Sequence, residues 1–277
     1  MKKLFSIVVC IAALLFASCK QNVSSDKSAS SDSSFHKAKA FSVSSSKQVY
    51  FSPGNLQYHP TNNKWRFAES QLDYIGKANN NISSAYNGWL DLFGWSTSTS
   101  NFGVSTSTCS NDYSGLFIDW GTNQIGNDAP NTWRTLTRDE WTYLFDTRLN
   151  AYSLRGVAQV DGVNGLILLP DTWKCPSDVT FKSGFHSIEY SVEAYGKCQK
   201  FSADQWSKLE MAGAVFLSAT GYRNDSDVSD VQSGGYYWSA TEYNDNKAFF
   251  RDFFSDGTFM HFGNRCDGLS VRLVKDL

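Results

Sequence analysis

The residues with the most chemical potential lie near the C-terminal end. Glu242, Tyr243, Asn244, Phe249, Arg251, Asp252, Phe259, His261, Asn264, Arg265 and Asp267 fall between two regular segments, Gly235-Tyr236-Tyr237-Trp238-Ser239-Ala240-Thr241 and Gly268-Leu269-Ser270-Val271-Arg272-Leu273-Val274. Aromatic rings offer flat apolar area at small entropic cost, and Arg or Asn adds directional hydrogen bonds. That mixture suits recognition of a glycan or a protein. The candidate ligand-binding set is Tyr243, Asn244, Phe249, Arg251, Phe259, His261, Asn264 and Arg265. Alternation along a strand puts part of this set outward, while Phe250, Phe253, Phe254 and Phe262 read as mostly core.

Catalytic patterns are weaker. The histidines are His36, His59, His186 and His261; none sits in HExxH, and no GxSxG elbow occurs. Asp139 and Glu140 belong to a helix start, where negative charge complements the dipole. Glu242, Asp245, Asp252 and Asp256 could offer oxygens to calcium but read better as solvated turn acids. Hence no catalytic residue, metal or cofactor is expected, and the chain is not expected to be an enzyme.

These residues need a scaffold, and 277 residues suffice for one sizeable domain. Charged residues make up 19% and aromatics 15%, which excludes wholesale disorder. Lys+Arg 25 against Asp+Glu 27 leaves a formal charge of −2, no basis for a nucleic-acid partner. Short aromatic or β-branched runs at residues 49–51, 55–58 and 65–67, parted by Pro53-Gly54 and Asn62-Asn63, suit an antiparallel meander. Residues 96–110, rich in Ser and Thr, read as a long surface loop. Thr137-Arg138-Asp139-Glu140 and Ser202-Ala203-Asp204-Gln205 are capping boxes that open two helices, the second stopped by Gly213. Residues 166–169 and 214–217 read as buried strands. Residues 249–254 and 258–262 flank Ser255-Asp256-Gly257 as a hairpin in which Gly takes the positive φ of the turn, and residues 270–274 read as a last strand. Helices among antiparallel strands indicate an α+β domain.

At the front, Lys2 and Lys3 precede an apolar stretch over residues 4–17, the build of a secretory signal and short for a spanning helix. Leu15-Phe16-Ala17-Ser18-Cys19 resembles a bacterial lipoprotein box, which implies acylation of Cys19 and a membrane reached through a lipid anchor. Residues 20–34 hold seven serines and read as a flexible tether. The expected organisation is a signal peptide over residues 1–18, a tether over 19–40 and one domain over 41–277, with residence at the outer membrane. Cys109, Cys175, Cys198 and Cys266 remain in an oxidising compartment. They permit two disulfides in three connectivities, or free buried thiols.

Trp133-Arg134-Thr135-Leu136-Thr137-Arg138-Asp139-Glu140-Trp141, Leu168-Leu169-Pro170-Asp171-Thr172-Trp173-Lys174-Cys175-Pro176 and the two C-terminal segments quoted above together resemble the Fibrobacter major paralogous domain and related lipoproteins of gut Bacteroidales. The resemblance implies a C-type-lectin-like fold, with twisted antiparallel sheets, two main helices and chain ends close together. It is distantly similar to formylglycine-generating enzymes, which use a C-terminal cysteine pair; Cys266 stands alone there. The resemblance implies a non-catalytic surface binding protein. A structural or adhesive subunit, and a receptor diversified by a retroelement, are the alternatives.

Overall fold

Both helix starts written into the sequence form. The computed structural model describes residues 39–185 and 191–277. The signal, the Cys19 box, most of the tether, His36 and His186 lie outside the described residues. Glu140 N donates to Thr137 Oγ1 at 3.2 Å while Thr137 N donates to Glu140 Oε2 at 2.9 Å, opening α1 (Arg138–Thr142). That helix winds on as one π turn, Tyr143–Thr147. Ser202 and Gln205 make the same reciprocal pair at α2 (Ala203–Met211), and Gly213, at φ +101°, ends it.

The first strands, β1 (Phe41–Ser42) and β2 (Gln48–Phe51), pair antiparallel, and the last strand, Val274–Asp276, joins them on the other side of β2. The two described ends therefore meet in one sheet. A hairpin follows, β3 (Leu56–His59) with β4 (Lys64–Phe67). Then β5 (Arg155–Val160), β6 (Val163–Leu168), β7 (Gln199–Phe201) and β8 (Val215–Ser218) form a sheet in the order β7-β5-β6-β8, antiparallel except for β5 with β7.

Side chains of this sheet alternate between two apolar layers. Val157, Leu166, Leu168 and Leu217 pack with Trp141, Leu144 and Phe145. Ala158, Val160, Ile167 and Phe216 pack instead with Trp206 and Leu209 of α2. Burying one such side chain stabilises the fold by roughly 1.5–3 kcal/mol. A third layer is rich in indoles: Trp65, Trp95, Trp120, Trp133 and Trp238. Three of its indole N–H groups donate to backbone carbonyls, Trp95 to Ser239 at 2.9 Å, Trp120 to Phe102 at 2.7 Å and Trp238 to Phe93 at 2.7 Å, and Trp133 donates to the Asp128 carboxylate at 2.8 Å.

Two expectations change, and one left open is decided. The start of the 96–110 loop is buried, because hydroxyls satisfy its backbone: Ser100 Oγ donates to Trp95 O and accepts from Thr97 N. Most of residues 270–274 lies outside any ladder strand; Val271 O and Leu273 O instead accept from Leu56 N and Ser52 N, fixing an extended buried crossing. Of the two alternatives for Cys109, Cys175, Cys198 and Cys266, the structure has free thiols: Cys198 is buried, Cys266 is half-buried against Ser110 Oγ at 3.3 Å, and Cys109 and Cys175 are exposed rather than buried.

Candidate functional site

After the small ribbon β9 (Tyr222–Asn224) and β10 (Asp227–Ser229), the chain builds an antiparallel three-stranded sheet from β11 (Gly234–Asn244), β12 (Lys247–Phe254) and β13 (Thr258–Asn264). Val274–Asp276 is then β14. The β12–β13 hairpin is the expected one, but Gly257 serves a different purpose. It is not among the positive-φ residues; a Cβ there would come within 2.9 Å of the Phe259 ring.

Register decides the chemistry of this sheet. Phe249 pairs with Phe262, Arg251 with Met260 and Phe253 with Thr258, so these six share one face. Phe250 pairs with His261 and with Trp238, and Asp252 with Phe259 and with Tyr236, so these share the other. The candidate set is thus divided: Phe259 and His261 look one way, Phe249 and Arg251 the other.

On the face of Phe259 and His261, aromatic rings form a continuous lane. Tyr222 lies 5.0 Å from Tyr236, Tyr236 6.1 Å from Phe250, Phe250 6.3 Å from His261 and His261 5.6 Å from Phe259, with Phe254 edge-on to Tyr236 at 5.6 Å. Tyr222, Tyr236 and Phe250 seal the indole-rich layer with one side and remain half-exposed, while Phe259 is 51% exposed.

Carboxylates border the lane. Tyr236 O–H donates to Asp230 Oδ2 at 2.5 Å. Asp252 accepts from Phe259 N at 3.0 Å and holds His261 Nδ1 at 2.6 Å, which leaves the exposed imidazole oriented with Nε2 directed away from Asp252. Burial pushes the Asp252 carboxyl up, against the opposing pull of His261. Burial also pushes Asp267 up to about 6, although the Asn264 backbone and the Arg223 guanidinium favour its charged form. Gly263 admits this approach: a Cβ there would stand 3.0 Å from the Phe250 ring and 3.5 Å from Asp267 Oδ2.

At the far end of the opposite face sits a second cluster. Tyr243 and Phe262 stack at 3.9 Å with planes 4° apart, and Phe249 meets both edge-on at 5.4 and 6.2 Å. Arg138 of α1 lies 5.0 Å over Phe249 and Lys247 lies 5.4 Å over Phe262. Asn244 and Asn264 are exposed beside it, at the paired ends of their strands.

Two candidate residues are buried and engaged within the fold. Arg251 is 2% exposed; it donates to Asp146 at 2.9 Å and Thr258 Oγ1 at 2.8 Å and lies 4.3 Å over Phe145, fastening the π turn to the sheet. Arg265 is 1% exposed over Trp95 and donates to Glu242, to Asn244 O and to the carbonyls of Tyr113 and Gly115. The guanidinium fork suits such multiple anchoring. Conversely Phe262, read as core, is 43% exposed. The acids considered for calcium are also apart in role: Glu242 pairs with Arg265 and Asp252 with His261. Among the described residues no group of three or more His, Cys, Asp or Glu could hold a metal ion.

Residues 197–274 match the model of a domain of unknown function, DUF8237. No curated protein and no solved structure matches the chain. The matched segment contains α2 and every ring of the lane. Sequence reading missed Tyr222, Tyr236, Phe250 and Asp230 as lane members, and Arg138 and Lys247 at the second cluster. The signal for Phe250 was its parity with Asp252; nothing local marked Tyr222.

Proposed function

We propose that this chain is a lipid-anchored, non-catalytic binding protein of the outer membrane that recognises a glycan along the aromatic lane. The observation that carries the reading is the lane itself: rings 5.0–6.3 Å apart from β9 to β13, half-exposed or exposed, bordered by the partly exposed Asp230 and Asp267 and by His261, which the buried Asp252 orients. Sugar rings present apolar C–H faces that stack on aromatic rings and hydroxyls that hydrogen-bond with carboxylates and imidazole. The spacing lets successive rings engage an extended chain.

The α+β architecture, mostly antiparallel with two helices and with the described ends paired through β2 and β14, supports a C-type-lectin-like scaffold. The lipoprotein-like box at Cys19 supports the anchor, and no helix among the described residues is long and apolar enough to cross a membrane. Incorporation of labelled fatty acid, lost in Cys19→Ser, tests the anchor.

A glycan array followed by calorimetry tests the lane. Folded protein should bind hydroxyl-rich oligosaccharides, and joint Phe259→Ala and His261→Ala should weaken binding roughly ten-fold or more, about 1.4 kcal/mol, with the far-ultraviolet circular dichroism spectrum and cooperative unfolding retained. Binding of proteins alone, or unchanged affinity in the folded double variant, would overturn the reading.

A further inference from the structure

The outer edge of β13 offers a second function. The β12–β13 ladder runs without a bulge from Lys247↔Asn264 to Phe253↔Thr258, and β13 is the last strand of its sheet. Its sequence, Thr258-Phe259-Met260-His261-Phe262-Gly263-Asn264, holds no Lys, Arg, Asp, Glu or Pro. Protected edges normally carry a charge, a proline or a bulge. This one carries none, and Phe259, His261 and Phe262 on it are exposed.

Hydrogen-bond parity tells which backbone groups are free. Phe254 N donates to Gly257 O at 2.7 Å and Arg265 N to Asn246 O at 3.0 Å. Alternation between these fixed points directs the backbone of Phe259, His261 and Gly263 toward β12. Thr258, Met260, Phe262 and Asn264 direct theirs outward; Arg251 Nη2 reaches Thr258 O at the long distance of 3.5 Å, and no isolated bridge among the described residues reaches any of the four.

We propose that a second copy of this chain pairs with this edge, β13 against β13 antiparallel about a two-fold axis at His261. In that register the four outward-facing residues lie opposite one another, Met260 against Phe262 and Thr258 against Asn264 of the other copy. Apolar side chains then meet on one face. On the other face Phe259 lies over Gly263 of the other copy, a pairing in which the ring covers the bare glycine backbone. The arrangement is isologous and closes at two copies, because the opposite edge of the sheet is occupied. Tyr237 of β11 bridges Ser270, and Gly235 bridges Gly221.

The pairing also bears on the lane, in a step that rests on the glycan reading. Phe259 and His261 form the outer end of the lane, so the two-fold axis joins two lanes into one surface and gives a long glycan two linked sites.

Sedimentation velocity of the full chain under reducing conditions, without glycan, tests the pairing independently of ligand binding. The wild-type protein should shift from monomer to dimer as its concentration rises and stop there. Phe262→Pro removes an outward N–H and leaves the β12 ladder bonds in place; Phe262→Lys places a charge on the edge. Each should abolish the dimer with far-ultraviolet circular dichroism and cooperative unfolding retained, and Phe262→Lys decides the matter if the proline variant does not fold. A wild-type monomer at every soluble concentration, a dimer indifferent to the folded variants, or growth into longer assemblies would overturn the proposal.

Discussion

The same strands, β12 and β13, carry two aromatic clusters of opposite character. The lane of Tyr222, Tyr236, Phe250, His261 and Phe259 is bordered by carboxylates. The cluster of Tyr243, Phe249 and Phe262 is bordered by Arg138 and Lys247. Phe249 and Phe250, or His261 and Phe262, are neighbours in sequence, yet a period of two sends them to opposite faces. Composition alone therefore averages two surfaces of different chemistry. Carboxylates beside rings suit sugar hydroxyls, and cations beside rings favour anionic groups. Between the two, Arg251 shares the face of the cationic cluster but is buried by the π turn that covers it.

The largest expected effect tests that burial. Arg251→Ala removes a guanidinium that packs on Phe145 and pairs with Asp146, so chemical denaturation should show a loss of about 2–3 kcal/mol, against near-wild-type stability for Phe259→Ala. A stable, folded Arg251→Ala protein with weakened ligand binding would return Arg251 to the surface and erase the division between the faces.

A smaller effect distinguishes the faces by pH. Asp267 titrates near pH 6 in the folded protein, above its ordinary value near 3.8, because burial disfavours its charge. Below both values the carboxyl is protonated in folded and unfolded chains alike and costs nothing. As pH rises between them the unfolded chain ionises first, so this group's contribution falls, and the loss is complete above the folded value. This contribution should thus decline from about pH 4 to about pH 6. Asp267→Asn should make the slope shallower, with buried Asp91, also pushed up to about 6, supplying the rest; Lys247→Gln, which removes a charge favouring ionised Asp267, should not make it shallower. An unchanged slope in Asp267→Asn would place the titration elsewhere.

The smallest effect sharpens the comparison most. Joint Tyr243→Ala and Phe262→Ala dismantles the stacked pair but leaves the lane untouched, so affinity for a lane-binding oligosaccharide measured at protein concentrations where the chain is monomeric should change by less than about two-fold. A larger loss than that of the Phe259 and His261 variant would move the glycan site to the cationic face.

Much of the framework was legible. Thr137 with Glu140 and Ser202 with Gln205 are local patterns whose donors and acceptors lie within one helical turn, and both boxes form. The hairpin around Ser255-Asp256-Gly257 was equally local, although Gly257 answers the crowding of Phe259 rather than a positive φ. The candidate site was half legible. Alternation in β12 and β13 was correct, but assigning its faces needed partners far along the chain.

By itself the sequence determined the α+β class, the two helix starts and the concentration of aromatic and polar residues between residues 242 and 267. Those features depend on dihedral preferences, capping and period-two alternation, which act over a few residues. Tertiary structure decided which arginines are buried, which rings are exposed and which sheet edge stays open. Arg251 is claimed by Asp146 and Arg265 by Tyr113 and Gly115, more than a hundred residues away in sequence. Burial is a property of what packs against a side chain, and only the folded chain brings those groups within hydrogen-bonding distance.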